Sequence, residues 1–199
     1  MNASLWKLLL FLAAWGLLAA LAGAGRLLAH LPPAGAPVLI AGLTLAFSVA
    51  LARAGWLRSA VATLSVRAIL AVHLIRFLGV YFLWLHAQGR LPVEFAQRAG
   101  GGDIVAAAGA LGLLFWPEGA GFRRALFGWN LFGAADLFVA VGTAGWLTIT
   151  RPGSTVELTE LPLTLIPLWA VPVLLSSHLY LWRHRMRREE FDLTVTAAM

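Results

Sequence analysis

The sequence predicts an all-α protein, a polytopic transmembrane helix bundle forming a single integral membrane domain over residues 1–199. Three observations lead there. Of the 199 residues 60% are hydrophobic and 12% charged, with a mean hydropathy of +0.82, a composition too apolar for a soluble globule. Apolar runs recur at the length of about 20 helical residues that crossing ~30 Å of hydrocarbon requires. Glycine and proline fall between those runs, where the chain must turn.

Six spans are expected, at residues 5–28, 36–54, 64–86, 103–119, 125–148 and 162–182. Pro32, Pro33 and Pro37 separate the first two, and Gly100 to Gly102 precede the fourth. The fourth is short and ends in Trp116-Pro117-Glu118; Gly119 to Gly121 follow it, and Arg151-Pro152-Gly153 follows the fifth. In the sixth, Pro162 suits a first turn, while Pro167 and Pro172 each remove an amide donor and imply a kink. That kink is either static or a broken helix of the kind that coordinates ions in transporters. Between spans three and four, Pro92 to Ala99 reads as a short interfacial helix, a connector or a lid. Small residues at Gly16, Ala20 and Ala24, and at Ala108 and Gly112, mark surfaces for close helix contact or for a partner membrane subunit. Trp6, Trp56, Trp84, Trp116, Trp146 and Trp182 sit near span ends as interfacial belts would.

Cation placement orients the bundle. With both termini cytoplasmic, ten Lys and Arg side chains fall inside, from Lys7 to Arg188, against Arg26, Arg90, Arg98 and Arg151 outside. A bacterial inner membrane location follows. A rival reading makes the N-terminus a signal peptide, with Lys7, the apolar run from Leu8 and a cleavage site at Ala20-Leu21-Ala22. The net charge of +6 is placed by topology, so nucleic acid is excluded as a partner. The basic run Arg183, Arg185, Arg187 and Arg188 suits anionic lipid head groups of the bilayer, at about 1 kcal/mol per charge. The absence of cysteine excludes disulfides, thiolate metal sites, iron–sulfur clusters and covalent haem attachment. With no soluble domain, any chemistry belongs inside the bundle or at its rims.

Two charges stand where water should be absent: Arg76 near the centre of the third span and Asp136 near the centre of the fifth. At 1.5 Å per residue their depths differ by about 2 Å, so they can pair. The pair is either a packing device that fixes helix register or a functional centre. In the functional case Asp136 is protonatable and Arg76 is its counter-ion or a clamp for an anionic group. By the same arithmetic Asn130 and His178 both lie about 9–10 Å inward of the midplane and His73 about 3 Å inward, giving a second polar layer. Gly79, three residues beyond Arg76, admits a neighbouring backbone. His73 and His178 form a candidate axial pair for a b-type haem, otherwise no cofactor being expected. His86, Glu94 and Asp103, with His30 near, gather at the outer rim as candidate metal ligands without a fixed spacing. Asp103 after three glycines is also placed to cap the fourth helix.

The stretches carrying His73, Arg76, Gly79 and Phe82, then Pro92, Phe95, Gly102 and Asp103, then Trp129, Asn130, Gly133 and Asp136, are similar to a family of small bacterial integral membrane proteins. The proline-rich last helix ending near His178 is similar too, so the resemblance spans roughly residues 65–185. It implies the six-helix class and a shared pattern of Arg76, Asp103, Asn130, Asp136 and His178, and it carries no activity. The expected role is therefore a non-catalytic membrane-complex subunit or ligand-binding bundle. A carrier for a small anionic or proton-coupled solute is the first alternative, and a haem protein or intramembrane enzyme the second.

Overall fold

The computed structural model describes residues 3–183, and among them the chain is helical with no strand. The helices are α1 (Ala3–Ala24), α2 (Gly35–Arg53), α3 (Gly55–Ala62), α4 (Val66–Ala87), α5 (Val93–Phe115), α6 (Ala120–Thr150) and α7 (Ile166–Leu181). Five of them, α1, α2, α4, α5 and α6, are long and apolar enough to cross a membrane, and α7 is a shorter apolar helix.

Local chemistry explains the boundaries. α1 stops four residues before the expected end because Arg26 takes a left-handed φ of 52°, with its guanidinium paired to Glu160. The Ser65 hydroxyl caps α4 by accepting from the Ala68 amide at 3.1 Å. The Pro92–Ala99 segment is not a separate interfacial helix: it is the first part of α5, joined to the rest through a wide turn at Ala96–Gly100. The glycines there do not break the helix. Gly100 packs backbone to backbone on Gly79, where a Cβ would fall 2.7 Å from the Gly79 carbonyl oxygen. Pro162 lies outside any helix, because α7 begins at Ile166. Pro167 occupies the first turn, where a missing amide costs little, and the wide turn Ile166–Ala170 leads to Pro172.

The helices pack as one bundle. Ser48 and Ser176 share a hydrogen bond of 2.9 Å, and Ser176 donates to the Thr44 carbonyl, tying α2 to α7. α1 is peripheral: Gly16 lies against the Trp169 indole, which donates to the Leu12 carbonyl at 3.0 Å. Leu10, Leu17, Leu18 and Leu21 on α1 are exposed, as are Leu45, Phe115 and Phe138 elsewhere. One end is laced by ion pairs of Arg26 with Glu160, Arg90 with Glu157 and Arg151 with Glu94. Gly112, expected at a helix contact, meets nothing within 4 Å.

Two glycines on one helix thus make opposite forecasts. Gly100→Val drives a side chain into the α4 backbone and should cost about 1–3 kcal/mol, whereas Gly112→Val should leave stability nearly unchanged. Tryptophan-fluorescence melting of both variants in detergent checks the contrast.

Candidate functional site

Arg76, Asp103 and Asp136 each lie within about a residue of the midpoint of α4, α5 and α6, taking 1.5 Å per residue as the measure of height. From His73 to Leu78 α4 tightens into 3₁₀ turns, in which side chains three apart eclipse, so His73 and Arg76 point the same way into the bundle. The guanidinium spreads over three partners. Nε donates to Asp103 Oδ1 at 2.6 Å, Nη1 donates to the Gly133 carbonyl at 3.1 Å, and Nη2 pairs with Asp136 Oδ2. Such a fork needs arginine's planar geometry; a lysine ammonium cannot reproduce it.

Glycines make the room. A Cβ on Gly102 would run into the Asp136 carboxylate, and one on Gly133 would sit 2.7 Å from the His178 ring and 3.2 Å from Arg76 Nη1.

Beneath the charges lies a layer of imidazole, amide and indole. Asn130 donates Nδ2 to the His178 carbonyl at 3.3 Å, which turns its Oδ1 toward His178 Nδ1 at 2.8 Å. Nδ1 therefore carries the proton, and His178 Nε2, buried and without a hydrogen-bond partner, is a bare lone pair beside Gly133 and Arg76. His73 repeats the pattern. Ser177 spends its hydroxyl proton on the Leu174 carbonyl, so its Oγ accepts from His73 Nε2 at 2.8 Å and leaves Nδ1 bare and unpartnered. The two rings lie 4.5 Å apart at their centres, and Trp129 packs on both while donating to the Ala106 carbonyl.

On the other side of the charges is a cavity of about 110 Å³, room for well more than one water. Its walls are apolar, from Ile40, Phe82, Phe95, Leu137, Ala144 and Val171, and its charged lining residues are Arg76 and Asp103. Thr148, Thr155 and Thr159 line it toward the end that holds the Arg–Glu pairs. Phe82 and Phe95 meet edge to face, 5.2 Å between centres.

Comparison with known families places this geometry. A family model described as a domain of unknown function, DUF8737, matches residues 33–184. The chain belongs to that family. No curated protein and no solved structure matches it. The DUF8737 segment takes in α2 to α7 and with them the three charges, the imidazole layer and the cavity; α1 lies outside it.

Several sequence expectations change within this DUF8737 unit. Asp103 is not a helix cap or a rim group: α5 already runs from Val93, so no free amides await it, and its carboxylate turns inward to Arg76. Asp103 is the member that sequence reading misplaced. Its signal was arithmetic: a buried guanidinium has five N–H donors, and one carboxylate does not occupy them. The outer-rim metal set does not assemble. His86 donates to the Leu91 carbonyl, Glu94 pairs with Arg151, His30 bonds the Arg26 carbonyl, and no three His, Asp or Glu gather among the described residues. The two histidines expected as an axial pair are brought together, with their rings in direct contact. Asn130, separated from Asp136 on the helix wheel, does face a different neighbour, His178. Arg183 is exposed beyond α7, and Arg185, Arg187 and Arg188 lie outside the described residues.

The charge geometry orders a mutant series. Arg76→Ala strands two buried carboxylates and should cost about 3–5 kcal/mol. Adding Asp136→Ala still strands Asp103, so only the triple variant with Asp103→Ala as well should recover most of that loss, as read by thermal melting and yield of folded protein.

Proposed function

We propose that this DUF8737 protein is a six-span, non-catalytic ligand-binding protein of the bacterial inner membrane, taking a small molecule into its cavity against the Arg76–Asp103–Asp136 cluster. The observation that carries this reading is the cavity itself, apolar along its walls and closed at helix mid-height by Arg76 and Asp103. Concave apolar sites with a few convergent polar groups are where ligands bind, and ionisable groups at mid-span mark substrate or ion routes.

Membrane insertion is supported by the apolar outer surface and by exposed Trp6, Trp56, Trp84, Trp116, Trp146 and Trp182 close to helix ends. α7 then supplies the sixth span, shorter than the rest and reached through the turn-rich segment after Thr150. Cytoplasmic termini are supported by the charge pattern: of the four outer cations Arg26, Arg90, Arg98 and Arg151, three are matched by a glutamate in this orientation, and of the inner ones Arg67 pairs with Glu118. Lys7, Arg53, Arg58, Arg67, Arg123, Arg124 and Arg183 then fall inside, with Arg183 and the cations after it set against anionic lipid head groups. Thr148, Thr155 and Thr159 of the cavity lining lie in the outer half in this orientation.

A second reading, a proton-coupled carrier, is favoured by a separate observation: two carboxylates face one guanidinium, with bare His178 Nε2 next to it. A surplus charge at this depth is neutralised by a proton or a cation, as in coupled carriers. An accessory-subunit role remains the third reading, with the exposed face of α1 available to a partner.

Native mass spectrometry of protein extracted in mild detergent tests these readings. The expected result is a lone chain retaining a small molecule, lost when Ala144→Phe fills the cavity. A stoichiometric protein partner with no adduct would instead make the chain an accessory subunit. Flux abolished by Asp136→Asn in proteoliposomes, with binding retained, would select the carrier.

A further inference from the structure

We propose that the ligand is a small hydrophobic organic ammonium ion, held by Asp103 at the floor of the cavity and exchanged there for a proton; this deepens the ligand-binding reading and rests on it. Four observations converge on that class.

The first is the charge count. Asp103 and Asp136 face Arg76 alone. His73 and His178, the other titratable groups beside the cluster, each have one buried nitrogen without a partner, and a second proton there would bury a cation with an unpaired N–H beside Arg76, so both are neutral in this network. α2 brings Ala36, Pro37 and Ile40 to the cavity, none of them titratable, and α7 adds no charge beyond His178. The cluster is therefore one positive charge short.

The second is which group the cavity reaches. The Arg76 side chain is 1% exposed and Asp136 7%, whereas Asp103 keeps 13% and spends Oδ1 on its ion pair. Arg76 has each of its three nitrogens engaged. An anion entering the cavity would meet a carboxylate first, with a second one behind it; an ammonium would meet its complement. This reverses the anion-clamp expectation drawn from Arg76 in isolation.

The third is hydrogen-bond supply. Arg76 Nε occupies Oδ1 of Asp103, so the other carboxylate oxygen of this lining residue is an acceptor, and an ammonium brings N–H donors to it.

The fourth is the wall. Phe82 and Phe95 line the same cavity, giving aromatic surface beside the carboxylate and apolar surface for the rest of the ligand. In the empty protein the missing charge is supplied by a proton on one of the two carboxylates. Entry of one ammonium ion releases that one proton, so the total charge at the site is unchanged.

Isothermal titration of the full chain in phosphatidylcholine nanodiscs, corrected with empty discs, tests the class with three probes of one shape: benzylammonium, benzoate and benzyl alcohol. The expected result is that benzylammonium binds best and releases a proton, seen as a dependence of the heat on the buffer's ionisation enthalpy. Asp103→Asn should weaken it by about thirtyfold or more, with Ala144→Phe blocking it. Benzoate binding in preference to the amine would overturn the cationic class while leaving the ligand-binding reading intact. Equal binding of benzyl alcohol and benzylammonium would overturn the role of charge. If none of the probes binds and native mass spectrometry finds no adduct, the cavity reading falls with it. The three-probe comparison uses the wild-type chain, so it decides the matter even if Asp103→Asn fails to fold.

Discussion

The rest of the bundle depends on the fork made by one guanidinium. Arg76 reaches from α4 to α5 through Asp103 and to α6 through Asp136 and the Gly133 carbonyl, so a single side chain sets the relative height of three helices. In apolar surroundings the hydrophobic effect does little to choose one helix register over another, and close packing plus directional polar bonds do that work. The glycines are the counterpart of the fork. Gly79 and Gly100 bring the α4 and α5 backbones together, and Gly102 and Gly133 leave space for the Asp136 carboxylate and the His178 ring. Charge and absence of side chain are parts of one device.

The two halves of the molecule on either side of that fork differ. Toward the ends of α5 and α7 that follow it, the interior is filled by His73, His178 and Trp129 and then by Leu57, Leu70, Leu113 and Leu181. Toward the Arg–Glu pairs the interior holds the cavity. The cavity therefore meets the charges from the side of the Arg–Glu pairs, and His73 and His178 are not among its lining residues.

Much of this was legible in the sequence because isolated polar residues stand out against apolar runs. Arg76 and Asp136 were found by depth alone, and the same arithmetic put Asn130 level with His178, to which it is bonded. Asp103 was misread because three consecutive glycines look the same whether they break a helix or bring one against a neighbour. Only the partner backbone, Gly79, distinguishes the two cases. The order of the prolines misled in the same way: Pro162 looked like a helix start, but the first helical turn belongs to Pro167. The histidine pair was visible, but the contact between its rings was not, since a one-dimensional depth scale carries no information about which way a ring faces.

The 3₁₀ stretch from His73 to Leu78 has a geometric corollary for α4 as a whole. A 3₁₀ turn advances about 120° per residue, against about 100° in an α-helix, and rises about 2.0 Å instead of 1.5 Å. Over this stretch the difference accumulates to roughly a third of a revolution and about 3 Å of extra length. The segment acts as a phase shifter. It lets the part of α4 that holds Ile69 and Leu70 in the leucine-rich core and the part that holds Gly79 and Phe82 against α5 lie on different stripes of one helix, with backbone winding in place of an inserted residue.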